Sequence, residues 1–169
     1  MKILVVSDTH KDTAELERLL ERYANDVKIV CHMGDHARDL LKFQPQYPQL
    51  GMVAVGGNCD FNPELQREIV LSFTECADRE DAWETKILLV HGHMQGVKRG
   101  VDRLAYYAAE KGVQAAFFGH THCHEATTRG GVFIFNPGSP AYPRGGSQKS
   151  YGIAEVSPEG QVTGTIYTI

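Results

Sequence analysis

The chain has 169 residues, 42% of them hydrophobic and 22% charged, with a formal net charge of -4. That length suits a single domain spanning residues 1–169 with its own apolar core, and the composition excludes collagenous and disordered chains. The acidic balance gives no electrostatic basis for holding long nucleic acid or a membrane surface, so any phosphate handled here needs local positive charge.

Lys2 to Val6 reads as a buried strand. It is too short for the core of a signal peptide, and no later stretch approaches a membrane span. The four cysteines, Cys31, Cys59, Cys76 and Cys123, form neither a C-x-x-C pair nor a disulfide-rich spacing, which points to a reducing, cytoplasmic compartment. Asp12 and Glu15 are spaced as a capping box that opens a helix, and Leu16, Leu19, Leu20 and Tyr23 fall on one helical face. Val27 to Cys31 and Met52 to Val55 are further strands, with a short helix around Ala37 to Phe43 between them. Alternating strand and helix argues for parallel pairing with right-handed crossovers.

Arg67 to Phe73 and Thr85 to Val90 read as strands joined by an acidic loop, Thr74 to Glu84, that either covers a crevice or is an ordinary exposed connection. A second amphipathic helix runs from Val101 to Lys111, with Val101, Leu104, Ala105 and Ala108 inward and Gly112 as its stop. Gln114 to Phe118 is a buried strand. Beyond His124 come short strands with turns at Gly130-Gly131, Pro137-Gly138 and Pro158 to Gly160. The fold class is therefore mixed α/β, a β-sandwich flanked by helices.

The chemistry-bearing residues gather in the turns at the strand ends. These read Asp8-Thr9-His10, Gly34-Asp35, Gly57-Asn58-Cys59-Asp60, His91-Gly92-His93 and Gly119-His120-Thr121-His122. In α/β folds, ligand crevices form at strand ends. Each cluster alone is an ordinary turn; together they gather Asp8, His10, Asp35, Asn58, His91, His120 and His122. His120 and His122, two residues apart, either point to one side or divide between two ions. Seven donors exceed what one tetrahedral ion takes. Two cations roughly 3.5–4 Å apart with one bridging carboxylate account for the set. A mixed oxygen and imidazole set suits manganese, iron, nickel or zinc and needs no thiolate.

This order of motifs resembles the calcineurin-like metallophosphoesterase superfamily, and within it the small YfcE-type phosphodiesterases of bacteria and archaea. Asn136-Pro137-Gly138-Ser139 and Pro143-Arg144 resemble that branch as well. The resemblance implies a four-layer αββα sandwich of two mixed sheets. It implies a phosphodiesterase that hydrolyses small phosphate esters, nucleotides or cyclic nucleotides among them, by in-line attack of a metal-bridging hydroxide. It assigns Asp8, His10 and His122 to one divalent ion, manganese first, and Asn58, His91 and His120 to the other. Asp35 bridges, and a homo-oligomer is compatible with the branch. His91 is preferred to His93 because it directly follows the apolar run Ile87 to Val90.

Many relatives carry a histidine where this chain has Cys59. A thiol is a poor substitute for an imidazole acid, so the enzyme is expected to prefer diesters to alkyl monoesters. The catalytic candidates are Asp35, Asn58, His91 and His93. His93 either orients a metal ligand, touches substrate or serves a turn, and Arg144 either meets a phosphate oxygen or forms a surface ion pair. Cys59 is a candidate substrate contact with His93 and Arg144, and otherwise reads as a core-facing thiol before a nucleophile; His32 reads as a core residue, and Cys31 and Cys123 as packing. His36 and His124 are further substrate contacts to test. The competing readings are a protein-binding scaffold, a use to which one retromer subunit of the superfamily puts this fold, and a mononuclear hydrolase.

Overall fold

The structure, a computed structural model, describes residues 1–74 and 84–169. Two five-stranded sheets dominate. In the first, β1 (Lys2–Val6), β2 (Ile29–His32) and β3 (Gly51–Ala54) run parallel, while β9 (Ser150–Val156) and β10 (Val162–Thr168) add antiparallel on the far side of β1, giving the order β10-β9-β1-β2-β3. The second has the order β4-β5-β6-β8-β7, from β4 (Glu68–Thr74), β5 (Glu84–Val90), β6 (Ala115–Phe117), β7 (His124–Arg129) and β8 (Val132–Pro137). There β5, β6 and β8 are parallel and the two outer strands antiparallel.

Side-chain alternation along the strands makes the layers. In β1, Ile3 and Val5 join Ile87, Leu89, Phe117 and Phe135 of the opposite sheet in a buried inter-sheet core. Leu4 and Val6 point the other way, onto Leu16, Leu19 and Leu20 of α1 (Ala14–Tyr23). Leu88 and Val90 likewise face Leu104, Ala105 and Ala108 of α3 (Asp102–Glu110). Each leucine so buried contributes roughly 1.5–3 kcal/mol of apolar transfer. The result is helix, sheet, sheet, helix. A third helix, α2 (Arg38–Leu41), is shorter than the expected span of 37–43.

Two expectations need correcting. The capping box does not form: Thr13 is the N-cap of α1, the Ala14 N–H donates to Asp12 Oδ1 at 3.3 Å, and Glu15 pairs with Arg18 at 2.9 Å. The helix starts one residue late, so Glu15 lies in its first turn and cannot reach back. Thr74 and Glu84, expected as loop ends, are paired strand residues. The connection between them, residues 75–83, lies outside the described residues, as does Cys76. No helix among the described residues is long and apolar enough to cross a membrane.

Candidate metal centre

Parallel strands end on the same edge of a sheet, so β1, β2 and β3 deliver Asp8, Asp35 and Asn58 to one rim, and β5 and β6 deliver His91 and His120 to the facing one. The two rims touch. The His120 N–H donates to Asp8 Oδ2 at 3.0 Å across them, while within the second rim the Gly119 N–H donates to the His91 carbonyl at 3.1 Å. Two glycines are required for that closeness. A Cβ at Gly119 would lie 1.9 Å from Ser7 Oγ, and one at Gly57 would lie 2.2 Å from Asp35 Oδ1.

Five of the seven candidates hold left-handed backbone: Asp8 (φ 56°), His10 (47°), Asp35 (56°), His120 (68°) and His122 (59°). Each costs of the order of 1–3 kcal/mol in a residue with a Cβ, and such strain persists where the surroundings enforce it. It turns five polar side chains into a common space.

The side chains meet in two groups that share Asp35. In the first, Asp8, His10, Asp35 and His122 each place one donor atom within 4.8 Å of the others. His10 Nε2 lies 3.3 Å from His122 Nε2 and 3.6 Å from Asp35 Oδ2, and His122 Nε2 is 3.3 Å from Asp8 Oδ1. In the second, Asp35, His91 and His120 converge under the same limit. His91 Nε2 is 3.4 Å from Asp35 Oδ1 and 3.2 Å from His120 Nδ1.

Main-chain carbonyls set the imidazoles. His91 Nδ1 bonds the Met33 carbonyl at 2.7 Å, and His122 Nδ1 bonds that of Tyr142 at 2.5 Å. A carbonyl only accepts, so each Nδ1 carries the proton and each Nε2 is turned toward the carboxylates, the arrangement that orients histidine ligands. Burial lowers the pKa of His10 and of His122, and takes that of His120 down to about 4, so all three present lone pairs at neutral pH. Burial opposes the charge on His91 too, but neighbouring Asp35 and Asp8 raise its pKa above the ordinary value.

Several residues that hold the site gave no catalytic signal in the sequence. The buried Asp60 accepts from Ala37 N–H (3.0 Å) and Gly57 N–H (2.8 Å), tying the loop after β2 to the loop after β3. Arg67 donates to the carbonyls of Gly57 and Asp60. Asn136 donates to the Gly119 carbonyl and to Thr121 Oγ1, both at 3.0 Å, and Ser139 Oγ donates to the Asp8 carbonyl at 2.9 Å. The Asn136 to Ser139 stretch thus clamps the loops after β1 and β6.

The other candidates separate clearly. Asn58 is exposed, its amide donating to Cys59 Sγ at 3.3 Å. His93 stands 5.4 Å from the His91 ring and 6.0 Å from that of His120, with its Nδ1 buried and unpartnered among the described residues. His36 lies 5.4 Å from the His10 ring, whereas His124 is exposed at the start of β7, outside both groups. His32 is wholly buried, accepting from the Gly34 N–H at 3.2 Å and bonding Thr9 Oγ1 at 3.0 Å. Cys31 is core. Cys59 is half-buried instead of core-facing, because its backbone N–H is drawn to Asp35 Oδ1 at 2.8 Å on the rim. Burial, then Asp35, pushes its thiol up to about 11. Cys123 is also half-buried, and its Sγ donates to the Arg144 carbonyl at 3.1 Å. Arg144 forms no ion pair among the described residues and lines a groove with His10 and His122.

With this geometry in place, residues 1–159 match the calcineurin-like phosphoesterase superfamily domain. The chain belongs to that superfamily. It is similar to the probable metallophosphoesterase YsnB of Bacillus subtilis, 32% identical over 90% of this chain and 83% of that protein. It is similar to the phosphodiesterase YfcE of Escherichia coli, 29% identical over 92% of this chain and 88% of that one. Its fold matches the crystal structure of Vps29 from Entamoeba histolytica complexed with zinc, with a TM-score of 0.73, 23% identity and coverage of 99% and 98%. Phosphoesterase relatives place the chain among hydrolases of phosphate esters.

The residues fit the divalent cations such a family uses. Asp8 Oδ1 is buried and receives no hydrogen bond among the described residues, an orphaned anionic oxygen that a cation would satisfy. Burial raises the Asp8 pKa to about 6, the sign of a carboxylate lacking its counter-charge.

Proposed function

We propose that the protein is a binuclear, metal-dependent phosphodiesterase that hydrolyses a small phosphate ester. Asp35 carries this reading. One of its oxygens faces His10 at 3.6 Å and the other faces His91 at 3.4 Å, so a single carboxylate stands between two imidazole groups. Asp8, His10 and His122 would hold one ion and His91, His120 and Asn58 the other, with Asp35 common to both. Asn58 must swing its amide oxygen away from Cys59 to join. The donor set suits manganese first, with nickel, iron or zinc as alternatives.

Two such ions supply Lewis acidity toward the phosphoryl oxygens and lower the pKa of a water toward neutrality. The chain does the rest by position. Met33 and Tyr142 fix two imidazoles, Asn136 and Ser139 fix the loops, and the left-handed backbone those surroundings enforce keeps the ligands turned inward. His93 and Arg144 stand on opposite groups as substrate contacts. Cys59, held as a thiol, is not used as a nucleophile. The relative named as a phosphodiesterase supports the diester class; a cyclic nucleotide in the cytoplasm falls within it, a nucleotide would be a monoester substrate, and residues 1–169 would act as a single domain.

Elemental analysis of protein purified without chelator, with a manganese-dependent assay on bis-p-nitrophenyl phosphate, tests this. Two ions per chain and loss of activity in Asp35→Ala and His120→Ala are the expected results. One ion per chain would move the reading to a mononuclear hydrolase; no ion and no activity with manganese, nickel or zinc would leave a scaffold.

A further inference from the structure

The two ligand groups differ in what lies beside them. An open groove of about 580 Å³ adjoins the first, walled by His10, His122, Ala141, Tyr142, Pro143 and Arg144. Neither His91 nor His120 contributes to it. That volume is in the range of small-molecule sites, roughly 300–1,000 Å³. The Tyr142 ring stands perpendicular to the His10 imidazole at 5.9 Å and is 48% exposed, although large aromatic rings gain by burial. Next to it, the exposed Arg144 guanidinium has no carboxylate partner among the described residues. It still bears on His10 and His122, whose protonated forms its charge disfavours.

The wall is rigid where it matters. The Tyr142 N–H donates to Ser139 Oγ at 2.8 Å and the Tyr142 carbonyl accepts from His122 at 2.5 Å. The Arg144 N–H donates to the His122 carbonyl at 3.2 Å, and the Arg144 carbonyl accepts from Ser147 N–H and Cys123 Sγ. The backbone of segment 142–144 is therefore bolted to a candidate ligand by two hydrogen bonds, so its side chains emerge from a fixed place beside the reacting centre. Binding elements so preorganised lose little entropy when occupied.

We propose that this groove is a substrate subsite that receives an aromatic ester arm of a phosphodiester, with Tyr142 as its stacking platform and Arg144 as the contact for the phosphoryl anion. An exposed ring and a planar cation two residues apart on one groove wall match a flat unsaturated group joined to a phosphate; an alkyl arm would leave the Tyr142 face wet. The proposal rests on the phosphodiesterase reading and makes the specificity lopsided, with the selective arm lying over the His10–His122 side.

Two diesters with the same leaving group isolate the arm that stays: p-nitrophenyl phenyl phosphate and methyl p-nitrophenyl phosphate, assayed with manganese-loaded enzyme. The wild type is expected to favour the phenyl ester through a lower KM. Tyr142→Ala should cut the phenyl-to-methyl ratio of kcat/KM roughly five- to tenfold, and Tyr142→Phe should restore it. Equal losses on both esters in Tyr142→Ala would overturn the proposal, since a merely structural role through His122 acts on both alike. If the wild type hydrolyses neither ester, the phosphodiesterase reading fails, and the groove is then judged by calorimetric binding of phenylphosphonate against methylphosphonate. A phenyl preference lost in Tyr142→Ala supports the subsite; equal affinities overturn it.

Discussion

Asp8 and Asp35 follow adjacent parallel strands, share a φ of 56° and lie in one ligand group, yet their charges are treated in opposite ways. Burial raises the Asp8 pKa to about 6, and one of its oxygens is left without a donor. Burial works against Asp35 as well, but contact with His91 and the Cys59 N–H outweighs it and holds that carboxyl well below the usual range. Asp35 is thus a prepared anion, stabilised by the protein before any cation arrives. Asp8 is an anion whose desolvation the contacts with His91, Ser7 and His120 only partly offset. The centre is therefore half self-sufficient: one carboxylate fixes the geometry, and the other makes the site depend on what it binds.

The largest effect is expected at Asp35. Asp35→Asn keeps the volume but removes the charge shared between the two groups. Loss of one ion per chain and at least about a thousandfold loss of turnover are expected, from several kcal/mol of charge stabilisation. Elemental analysis paired with kinetics on bis-p-nitrophenyl phosphate checks it. Retention of two ions would show that Asp35 is not common to both.

Asp8→Asn sharpens the contrast, since stability and activity should move in opposite directions. Turnover should drop about a hundredfold or more with a lost ligand. The metal-free variant should be more stable than metal-free wild type at pH 7. Its amide can donate to His122 Nε2, 3.3 Å from the present Oδ1, while the other oxygen keeps the bonds from Ser7 and His120. The sign follows from a folded pKa of about 6 against 3.8. The folded protein retains its proton longer than the unfolded chain, so Asp8 costs nothing below about pH 4 and progressively destabilises as pH rises through 6. At most about 3 kcal/mol is at stake. Denaturant titrations of the two metal-free proteins at pH 4 and pH 7 check it; the gap should open only at the higher pH.

Much of this arrangement is legible in the chain itself. The periodicity of Leu16, Leu19 and Leu20, and of Leu104, Ala105 and Ala108, identifies the faces that α1 and α3 bury. The parallel order of β1 to β3 follows from alternating strand and helix. The order of the second sheet does not, because β8 inserts between β6 and its own hairpin partner β7, and β9 crosses to the first sheet. Those choices are made by contacts distant in sequence. Ligand-capable residues show themselves by type and place at strand ends. Ser139 and Asn136 act on main-chain atoms 131 and 17 residues away, a relation no local pattern records. Tyr142 shows nothing at all, since its carbonyl serves His122 whatever its side chain.

Those supports give the next effect. Asn136→Ala leaves the Gly119 carbonyl and Thr121 Oγ1 without their shared donor and the Gly138 N–H without its acceptor, in a fully buried place. The loop carrying His120 and His122 should loosen, with ligands chemically intact. Metal affinity is expected to fall roughly 10–100-fold, as for other residues that orient ligands. Stability should fall by about 1–3 kcal/mol. Metal titration and urea unfolding of the same variant separate the two effects. Unchanged metal affinity with lost stability would confine Asn136 to folding.

The smallest expected effect concerns the side of Asp35 that Cys59 occupies. Its N–H is fixed at 2.8 Å from Asp35 Oδ1, so a side chain placed here emerges beside the shared carboxylate. The thiol, at about 11, is a far weaker acid than an imidazolium and so a poorer proton donor to a departing alkoxide, whereas an aryl oxide leaves without help. Wild type is therefore expected to turn over bis-p-nitrophenyl phosphate faster than an alkyl monoester. Cys59→His introduces an imidazole whose ordinary pKa lies near 6.5, and the ratio of alkyl-monoester to diester turnover should rise roughly three- to tenfold. That is well short of the 10²–10⁴ a positioned acid contributes, because nothing in the loop from Gly57 to Asp60 orients a ring at that position. A steady ratio would mean that leaving-group protonation, if it limits the monoester, is supplied from the His93 side of the centre, and His93→Ala would then be the variant that moves it.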